Sequence, residues 1–134
     1  MGLKLRRKNI EILHRAGRKV ICYLNAGAWE DWRPDASSYP VEILGLLMRG
    51  WPGERWLDIR RLDLPASLIE ARMDMCHSKG CDGIDPDNVH GYTQLTGFEL
   101  SFNDQICFNQ FLAGVAHERG MSIGLKNDLE QIDI

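Results

Sequence analysis

Three aspartates within six positions, Asp82, Asp85 and Asp87, form the group of side chains in this chain that could carry chemistry. In an extended strand alternate side chains point to opposite faces, so Asp85 and Asp87 share a face with their side chains roughly 7 Å apart. Two carboxyls, one protonated and one ionised, are what cleavage of a glycosidic bond requires. The alternative is a solvated strand end followed by a turn.

Asp82 points to the other face, near the beginning of the strand. We predict a structural role for it, as the partner of a cation at the base of the fold. Asp87 lies nearest the end of the strand and is the predicted catalytic group. Asp85 is its predicted neighbour, which tunes the pKa of Asp87 or binds substrate.

Four tryptophans lie between positions 29 and 56: Trp29, Trp32, Trp51 and Trp56. Sugar rings stack on aromatic side chains of this kind, so the cluster agrees with a carbohydrate substrate. Packing in the core is the alternative for Trp51 and Trp56.

Composition excludes several classes of function. The chain has 134 residues, of which 44% are hydrophobic and 26% charged, as in one ordinary globular unit. A formal net charge of -3 argues against a nucleic-acid partner. No apolar segment is long enough to span a bilayer, and no apolar stretch of a secretory signal follows the basic start, so the compartment is left open.

We predict no cofactor and no metal. No glycine-rich phosphate motif follows any predicted strand. A metal site from Asp85, Asp87 and His90 lacks a recognisable loop spacing. The four cysteines contain no CxxC pair, which argues against zinc. Cys22 suits a buried thiol, whereas Cys76 and Cys81 could take part in a disulfide.

Hydrophobic periodicity and turn residues predict an alternation of helices and strands. Three predicted helices end in a histidine followed three positions later by a glycine, at His14, His77 and His117, and a strand follows each. The predicted helices cover residues 9–16, 40–48, 65–78 and about 101–119. The predicted strands cover residues 18–25, 55–60, 81–87 and 121–127, with the start of another helix in the tail.

Strand–helix alternation at these spacings implies parallel strands with right-handed crossovers, in a doubly wound sheet or a (β/α)8 barrel. The lack of a phosphate motif favours the barrel, whose active sites lie at the C-terminal ends of the strands. One face of each strand is apolar, as with Leu24 and Ile84. The polar face carries the candidate site residues Tyr23, Asn25, Asp58, Arg60, Asp85, Asp87 and Lys126.

Four motifs, taken in order, resemble glycoside hydrolase family 114, the endo-α-1,4-polygalactosaminidase-like proteins. They are residues 20–35 (VICYLNAGAWEDWRPD), 51–60 (WPGERWLDIR), 80–92 (GCDGIDPDNVHGY) and 124–128 (GLKND). The resemblance implies a TIM-type barrel and hydrolysis of an α-1,4-linked, galactosamine-rich polysaccharide. It also implies that Asp87 is one of two catalytic carboxylates. Further expected substrate contacts lie in the same motifs: Glu30, Arg33, Asn88, Tyr92 and Asn127.

Two positions depart from the family pattern, Asp85 where a glutamate is common and His90 where an aspartate is common. The resemblance further places the second catalytic carboxylate on a strand beyond Ile134. We therefore expect 134 residues to form about four of eight barrel units, truncated at both ends, with little or no hydrolase activity alone and with strand edges open to self-association. A non-catalytic carbohydrate-binding protein and a non-functional fragment are the alternatives. Family members are commonly secreted, so the absence of a signal peptide leaves localisation unknown.

Overall fold

A computed structural model describes residues 6–133 as a mixed α/β structure. Three α-helices, α1 (Arg7–Arg15), α2 (Ala66–Lys79) and α3 (Phe102–Glu118), accompany six short strands. The strands are β1 (Ile21–Asn25), β2 (Ala28–Glu30), β3 (Leu44–Leu47), β4 (Glu54–Leu57), β5 (Gly83–Asp87) and β6 (Ser122–Ile123). None of the helices in this part of the chain has the length and apolar character needed to cross a membrane.

The first sheet is parallel and has the order β1–β5–β6. Asn25, the last residue of β1, pairs in register with Asp87, the last residue of β5. Parallel strands joined through α2 and α3 were predicted, and these three are confirmed. The last strand is shorter than predicted, because only Ser122 and Ile123 of residues 121–127 pair with β5.

The second sheet is antiparallel, with the order β2–β4–β3, and it corrects the predicted arrangement. Residues 55–60 were expected to add a fourth parallel strand, but β4 pairs antiparallel with both neighbours. The predicted helix over residues 40–48 was also wrong. A single 3-10 turn, Val41–Ile43, leads there into β3.

The error at residues 40–48 has a physical reason. A short apolar run fits a helix and a strand equally well, and the pairing partner decides between them. Gly50 and Gly53, both with positive φ, reverse the chain between β3 and β4. Gly45 lies against the backbone carbonyls of Thr96 and Trp56, so close that a side chain would collide with them.

Local chemistry accounts for the beginning of α3 and for the ends of all three helices. Ser101 and Asp104 form the predicted capping box, with bonds of 3.0 and 2.8 Å between each side chain and the other residue's backbone N–H. Gly80 ends α2 in the left-handed conformation at φ 95°, which glycine adopts without strain. The predicted histidine–glycine helix ends are thus confirmed, with positive φ also at Gly17 and Gly120.

The core lies between the parallel sheet and the helices. Leu24 and Ile84 turn their side chains to one face, where Met73 of α2 and Phe108 of α3 are fully buried. The opposite face is open, with Tyr23 45% exposed. The predicted division into an apolar and a polar face therefore holds for β1 and β5.

A disulfide between Cys22 and Cys76 joins β1 to α2. The prediction of a buried free thiol at Cys22 was wrong, and the predicted bridge partner Cys76 bonds across the sheet–helix boundary. Cys81 is instead a buried free thiol, and Cys107 is a free thiol at the surface. Sequence spacing could not show this pairing, because the two residues are 54 positions apart.

Asp82 has the structural role predicted for it. Its Oδ2 accepts a hydrogen bond from the Val20 backbone N–H at 2.8 Å, and His14 Nε2 lies 2.8 Å from the same oxygen. The Val20 N–H and then His14 lower the pKa of Asp82. This contact ties α1 to the beginning of β5, at the end of the sheet away from Asp87.

Candidate active site

Asp87, the last residue of β5, lies at the centre of a group of polar side chains. The Tyr23 hydroxyl donates a hydrogen bond to Oδ2 at 3.0 Å, and the Asn88 backbone N–H donates to Oδ1 at 2.9 Å. Lys126 Nζ lies 3.6 Å from Oδ1. Hydrogen-bond donors on both oxygens, together with the ammonium beside Oδ1, fix the orientation of the Asp87 carboxylate.

Lys126 contacts both aspartates of β5, since its Nζ also lies 3.7 Å from Asp85 Oδ2. The same ammonium lies 5.2 Å from the centre of the Tyr23 ring. Lys126 follows β6 and Tyr23 belongs to β1, so side chains from all three parallel strands meet at Asp85 and Asp87. The predicted grouping of Tyr23, Asp85, Asp87 and Lys126 is therefore present.

The Tyr23 hydroxyl is a donor by virtue of its surroundings. Partial burial raises its pKa, and the hydrogen bond and charge of Asp87 raise it further. The phenol therefore keeps its proton throughout the ordinary pH range and can donate a hydrogen bond to Asp87 or to a bound sugar oxygen.

Two asparagines extend the site from β5 to the antiparallel sheet. Asn88 Nδ2 donates to Asn25 Oδ1 at 3.0 Å, and Asn25 Nδ2 donates to Glu54 Oε1 at 3.0 Å. Asn25 is 1% exposed, and these two hydrogen bonds satisfy its side-chain amide, which would otherwise be buried without partners. Glu54, which begins β4, is a site residue that the sequence analysis missed.

Glu54 and Glu30 occupy paired positions on β4 and β2. Burial raises the pKa of Glu54, and the charges of Glu30 and Asp87 raise it further. Glu30 is 4% exposed and accepts a hydrogen bond from Arg33 Nε at 3.0 Å. The predicted pair Glu30 and Arg33 is thus held together, next to a carboxyl whose pKa is raised.

The glycine after β1 makes room for the loop that follows β5. Gly27 packs against the backbone carbonyl of Asn88, and a Cβ at Gly27 would overlap that oxygen. The Gly27 N–H also donates to the Asp87 carbonyl at 3.2 Å. Asn88 itself has φ 61°, in the left-handed region that asparagine tolerates better than most residues.

Arg72 of α2 supports the site through the backbone of Asn25, and the sequence analysis did not predict this role. Its guanidinium makes two bonds of 2.7 Å to the Asp35 carboxylate and donates to the Asn25 carbonyl at 3.1 Å. The hydrogen bonds from Arg72 lower the pKa of Asp35. The pair anchors the end of β1 and the loop after β2 to the same helix.

Of the remaining residues predicted to contact substrate, Asp58, Arg60 and Tyr92 bond to partners outside the Asp87 group, whereas Asn127 belongs to the group. Arg60 Nε and Nη2 bond the two oxygens of Asp58 at 2.9 Å each, and within residues 6–133 neither side chain bonds a member of the Asp87 group. The Tyr92 hydroxyl donates to Asp128 at 2.9 Å. Asn127 Oδ1 accepts from the Asn88 N–H at 2.9 Å and so does join the site.

The tryptophans divide between packing and exposure. Trp56 is buried at 6% exposure, with its ring edge-on to His90, which confirms the packing alternative. Trp51 and Trp32 are exposed at 62% and 59%, and Arg33 stacks on the Trp32 ring at 4.1 Å. Trp32 is thus an exposed aromatic ring two residues from Glu30 in sequence.

The site is therefore a carboxylate at the C-terminal end of a parallel strand, held by a tyrosine, a lysine and asparagines, in a mixed α/β chain. A second carboxyl, Glu54, lies close enough for the charge of Asp87 to raise its pKa. Glycoside hydrolases cleave their substrate with a pair of carboxyls, and a carboxylate at the C-terminal end of a parallel strand can supply one of them.

Comparison with protein families identifies the chain. The model of glycoside hydrolase family GH114 matches residues 4–134, and the chain belongs to this family. This confirms the resemblance carried by the four sequence motifs. No curated protein matched the chain in a sequence comparison.

Solved structures that resemble the chain include Ega3 and the PelA domain. Aspergillus fumigatus Ega3, solved in complex with galactosamine, is 49% identical, with a TM-score of 0.87 over 92% of this chain and 49% of that one. The glycoside hydrolase domain of PelA from Pseudomonas aeruginosa is 15% identical, with a TM-score of 0.62 over 89% of this chain and 47% of that one. The chain thus spans about half the length of both structures.

Proposed function

We propose that this chain contributes one half of the active site of a glycoside hydrolase that acts on α-1,4-linked, galactosamine-rich polysaccharide. The architecture we propose with it is the incomplete (β/α)8 barrel expected from the sequence, in which β1, β5 and β6 are neighbouring barrel strands. The similarity to Ega3, a protein solved with galactosamine, supports the substrate class.

One observation carries the proposal: Asp87 Oδ2 accepts from the Tyr23 hydroxyl at 3.0 Å while Lys126 lies 3.6 Å from Oδ1. These contacts point a carboxylate out of the C-terminal edge of the sheet, where a sugar can reach it. In the proposed reaction Asp87 acts on the sugar ring or on its attacking water. Tyr23, Asn88 and Lys126 keep its carboxylate oriented.

The proposed substrate contacts surround Asp87 on two sides. Lys126, Asp85 and Asn127 border it on the β6 side, and Asn25, Glu30 and Arg33 continue the polar surface toward the antiparallel sheet. Exposed Trp32 would offer an aromatic face to a sugar ring beyond Arg33. The proposed roles of Asp58, Arg60 and Tyr92 in substrate binding have no such contact in their favour.

Carbohydrate binding without cleavage is the second candidate. It is favoured by the family resemblance, which implies that the second catalytic carboxylate lies on a strand beyond Ile134. The expectation of little or no hydrolysis by this chain alone stays a prediction.

One experiment separates the two candidates. The purified 134-residue chain and its Asp87→Asn variant are incubated with α-1,4-linked galactosamine oligomers, and both affinity and new reducing ends are measured. Cleavage that Asp87→Asn abolishes supports the first candidate, and so does binding that Asp87→Asn weakens at least about tenfold, whereas binding without cleavage that Asp87→Asn leaves unchanged supports the second. A chain that neither binds nor cleaves the oligomers would refute both.

A further inference from the structure

Asp128 is a fully buried carboxyl that the proposed chemistry does not use. It is 0% exposed, and no salt bridge to it is formed within residues 6–133. Burial raises its pKa, which hydrogen bonds from Tyr92 and Asn109 partly offset. Burying a carboxyl without a cation costs free energy, so its position calls for a function.

The two donors to Asp128 come from different parts of the fold. The Tyr92 hydroxyl, in the loop after β5, donates to Oδ1 at 2.9 Å, and Asn109 Nδ2, in α3, donates to Oδ2 at 3.1 Å. Asn109 is in turn held by Gln105 Nε2 at 2.9 Å. One side chain therefore joins the loop after β5, helix α3 and the segment after β6.

The two residues before Asp128 contact the site. Asn127, with φ 69°, accepts a hydrogen bond from the Asn88 N–H through Oδ1 at 2.9 Å. Lys126 Nζ lies 3.6 Å from Asp87. Residues 126–128 thus turn two side chains toward Asp87 and the third into the interior.

We infer that Asp128 is a positioning residue for the Asp87 site, acting through Asn127 and Lys126. Its two hydrogen bonds fix the segment after β6 in the conformation that presents the Asn127 side chain to Asn88. Asparagine tolerates the left-handed conformation better than most residues, and the anchor at Asp128, the next residue, holds Asn127 in it. The effect on sugar binding rests on the proposed function, whereas the effect on the Asn88 hydrogen bond does not.

Hydrogen exchange of the Asn88 amide tests the inference directly. In Asp128→Ala we expect this amide to exchange about tenfold faster than in the wild type, relative to the Met73 amide in α2. Asp128→Asn keeps an acceptor for Asn109 and presents an amide donor to the Tyr92 hydroxyl oxygen, so both contacts can form again and its Asn88 exchange should stay within about threefold of the wild type. Tyr92→Phe removes one of the two donors and should fall between them, which keeps the test available if Asp128→Ala does not fold.

Gln131→Ala is the matched control. Gln131 is 6% exposed and donates to the Phe102 carbonyl at 2.8 Å, so it also anchors the C-terminal segment to α3. The Gln131→Ala substitution should therefore destabilise the chain without selectively speeding hydrogen exchange of the Asn88 amide. Equal Asn88 exchange in Asp128→Ala and Gln131→Ala would overturn the inference, and so would failure of Asp128→Asn to restore it.

Affinity for α-1,4-linked galactosamine oligomers provides the second measurement. We expect it to fall in the same order as Asn88 exchange rises, from wild type and Asp128→Asn to Asp128→Ala. Unchanged affinity in Asp128→Ala, alongside faster Asn88 exchange, would refute the role at the site but leave the proposed function standing. A wild type that binds no oligomer would refute the proposed function, while the exchange result would still decide whether Asp128 holds Asn127 against Asn88.

Discussion

The hydroxyl of Tyr23 donates a hydrogen bond of 3.0 Å to Asp87 across two neighbouring parallel strands. The two residues are not register partners, since Tyr23 pairs with Asp85 and Asn25 pairs with Asp87. The tyrosine side chain therefore reaches along the open face of the sheet to the strand end. This contact joins an exposed ring to the predicted catalytic carboxylate.

Removal of this hydroxyl is expected to weaken the site without unfolding the chain. Tyr23→Phe keeps the ring, which is 45% exposed, so the free energy of unfolding should change by less than about 0.5 kcal/mol. Affinity or activity toward galactosamine oligomers should fall about tenfold, the effect of one lost hydrogen bond to a charged group. In an Asp87→Asn background the same substitution should have little further effect; full additivity would show that Tyr23 does not act through Asp87.

Gly27 is expected to tolerate no side chain. Gly27→Ala places a methyl group where the Asn88 carbonyl lies, and neither backbone can yield without moving the end of β5. We expect a loss of about 2 kcal/mol or more in the free energy of unfolding, measured by urea denaturation, together with loss of sugar binding.

Gly114 in α3 provides the control for this substitution, because nothing lies within 4 Å of the position that its Cβ would take. Gly114→Ala should stabilise the chain by about 0.5–1 kcal/mol through helix propensity. A Gly27→Ala chain as stable as the wild type would show that the close approach to Asn88 is not required.

Glu54 is expected to make stability fall as pH rises. Its pKa in the folded chain is raised above the ordinary value of 4.5, so the folded state prefers the protonated carboxyl. The stability that this preference contributes is present below the unfolded pKa and is lost as pH rises through the folded pKa. Glu54→Gln keeps an acceptor for Asn25 and carries no charge, so above that pH it should unfold at a higher denaturant concentration than the wild type.

The difference between Glu54→Gln and wild type should shrink toward pH 4, where the wild-type glutamate is protonated as well. Glu42→Gln, at an exposed glutamate in the turn before β3, is the control and should not alter the pH profile. A Glu54→Gln chain whose stability tracks the wild type at every pH would contradict the assigned surroundings of Glu54.

The Cys22–Cys76 disulfide is expected to contribute substantially to stability. It closes a loop of 54 residues, and cross-links of this size typically stabilise by about 3 kcal/mol. Cys22→Ser should lower the free energy of unfolding by about that amount, and a reducing agent should lower it equally in the wild type. Cys107→Ser, at an exposed free thiol, should have no effect. Identical stability with and without reductant would show that the bridge does not form.

Local signals were sufficient to predict the parallel part of the fold. Gly80 marks the end of α2, and the capping box of Ser101 and Asp104 marks the beginning of α3. The strands before and after these helices alternate in polarity. Side chains at the ends of parallel strands meet at one edge of the sheet, which is why Asp87, Tyr23 and Lys126 could be grouped in advance.

The antiparallel sheet could not be predicted in the same way. Whether a strand such as β4 runs parallel or antiparallel depends on its partner, and the alternation of Leu57 with Trp56 is the same in both cases. Glu54 was missed for this reason, since only the pairing with Glu30 across β2 and β4 brings it toward Asp87. The turn residues Gly50 and Gly53, between two short apolar runs, were the available signal for a hairpin.

Asp128 and Arg72 were missed for a different reason. Their partners, Tyr92 and Asn109 for one and Asp35 for the other, lie on separate elements, and no local pattern links them. Buried polar contacts of this kind follow from how the elements pack.

Binding of an α-1,4-linked galactosamine oligomer to the 134-residue chain, measured by calorimetry for the wild type and for Asp87→Asn, tests the central claim most directly. Asp63→Asn, at an exposed carboxylate paired with Arg61, is the control. The account predicts saturable binding by the wild type and Asp63→Asn, and affinity at least about tenfold weaker in Asp87→Asn, because a charged hydrogen-bonding partner is lost. Equal affinity in Asp87→Asn and the wild type, or no binding by either, would contradict it.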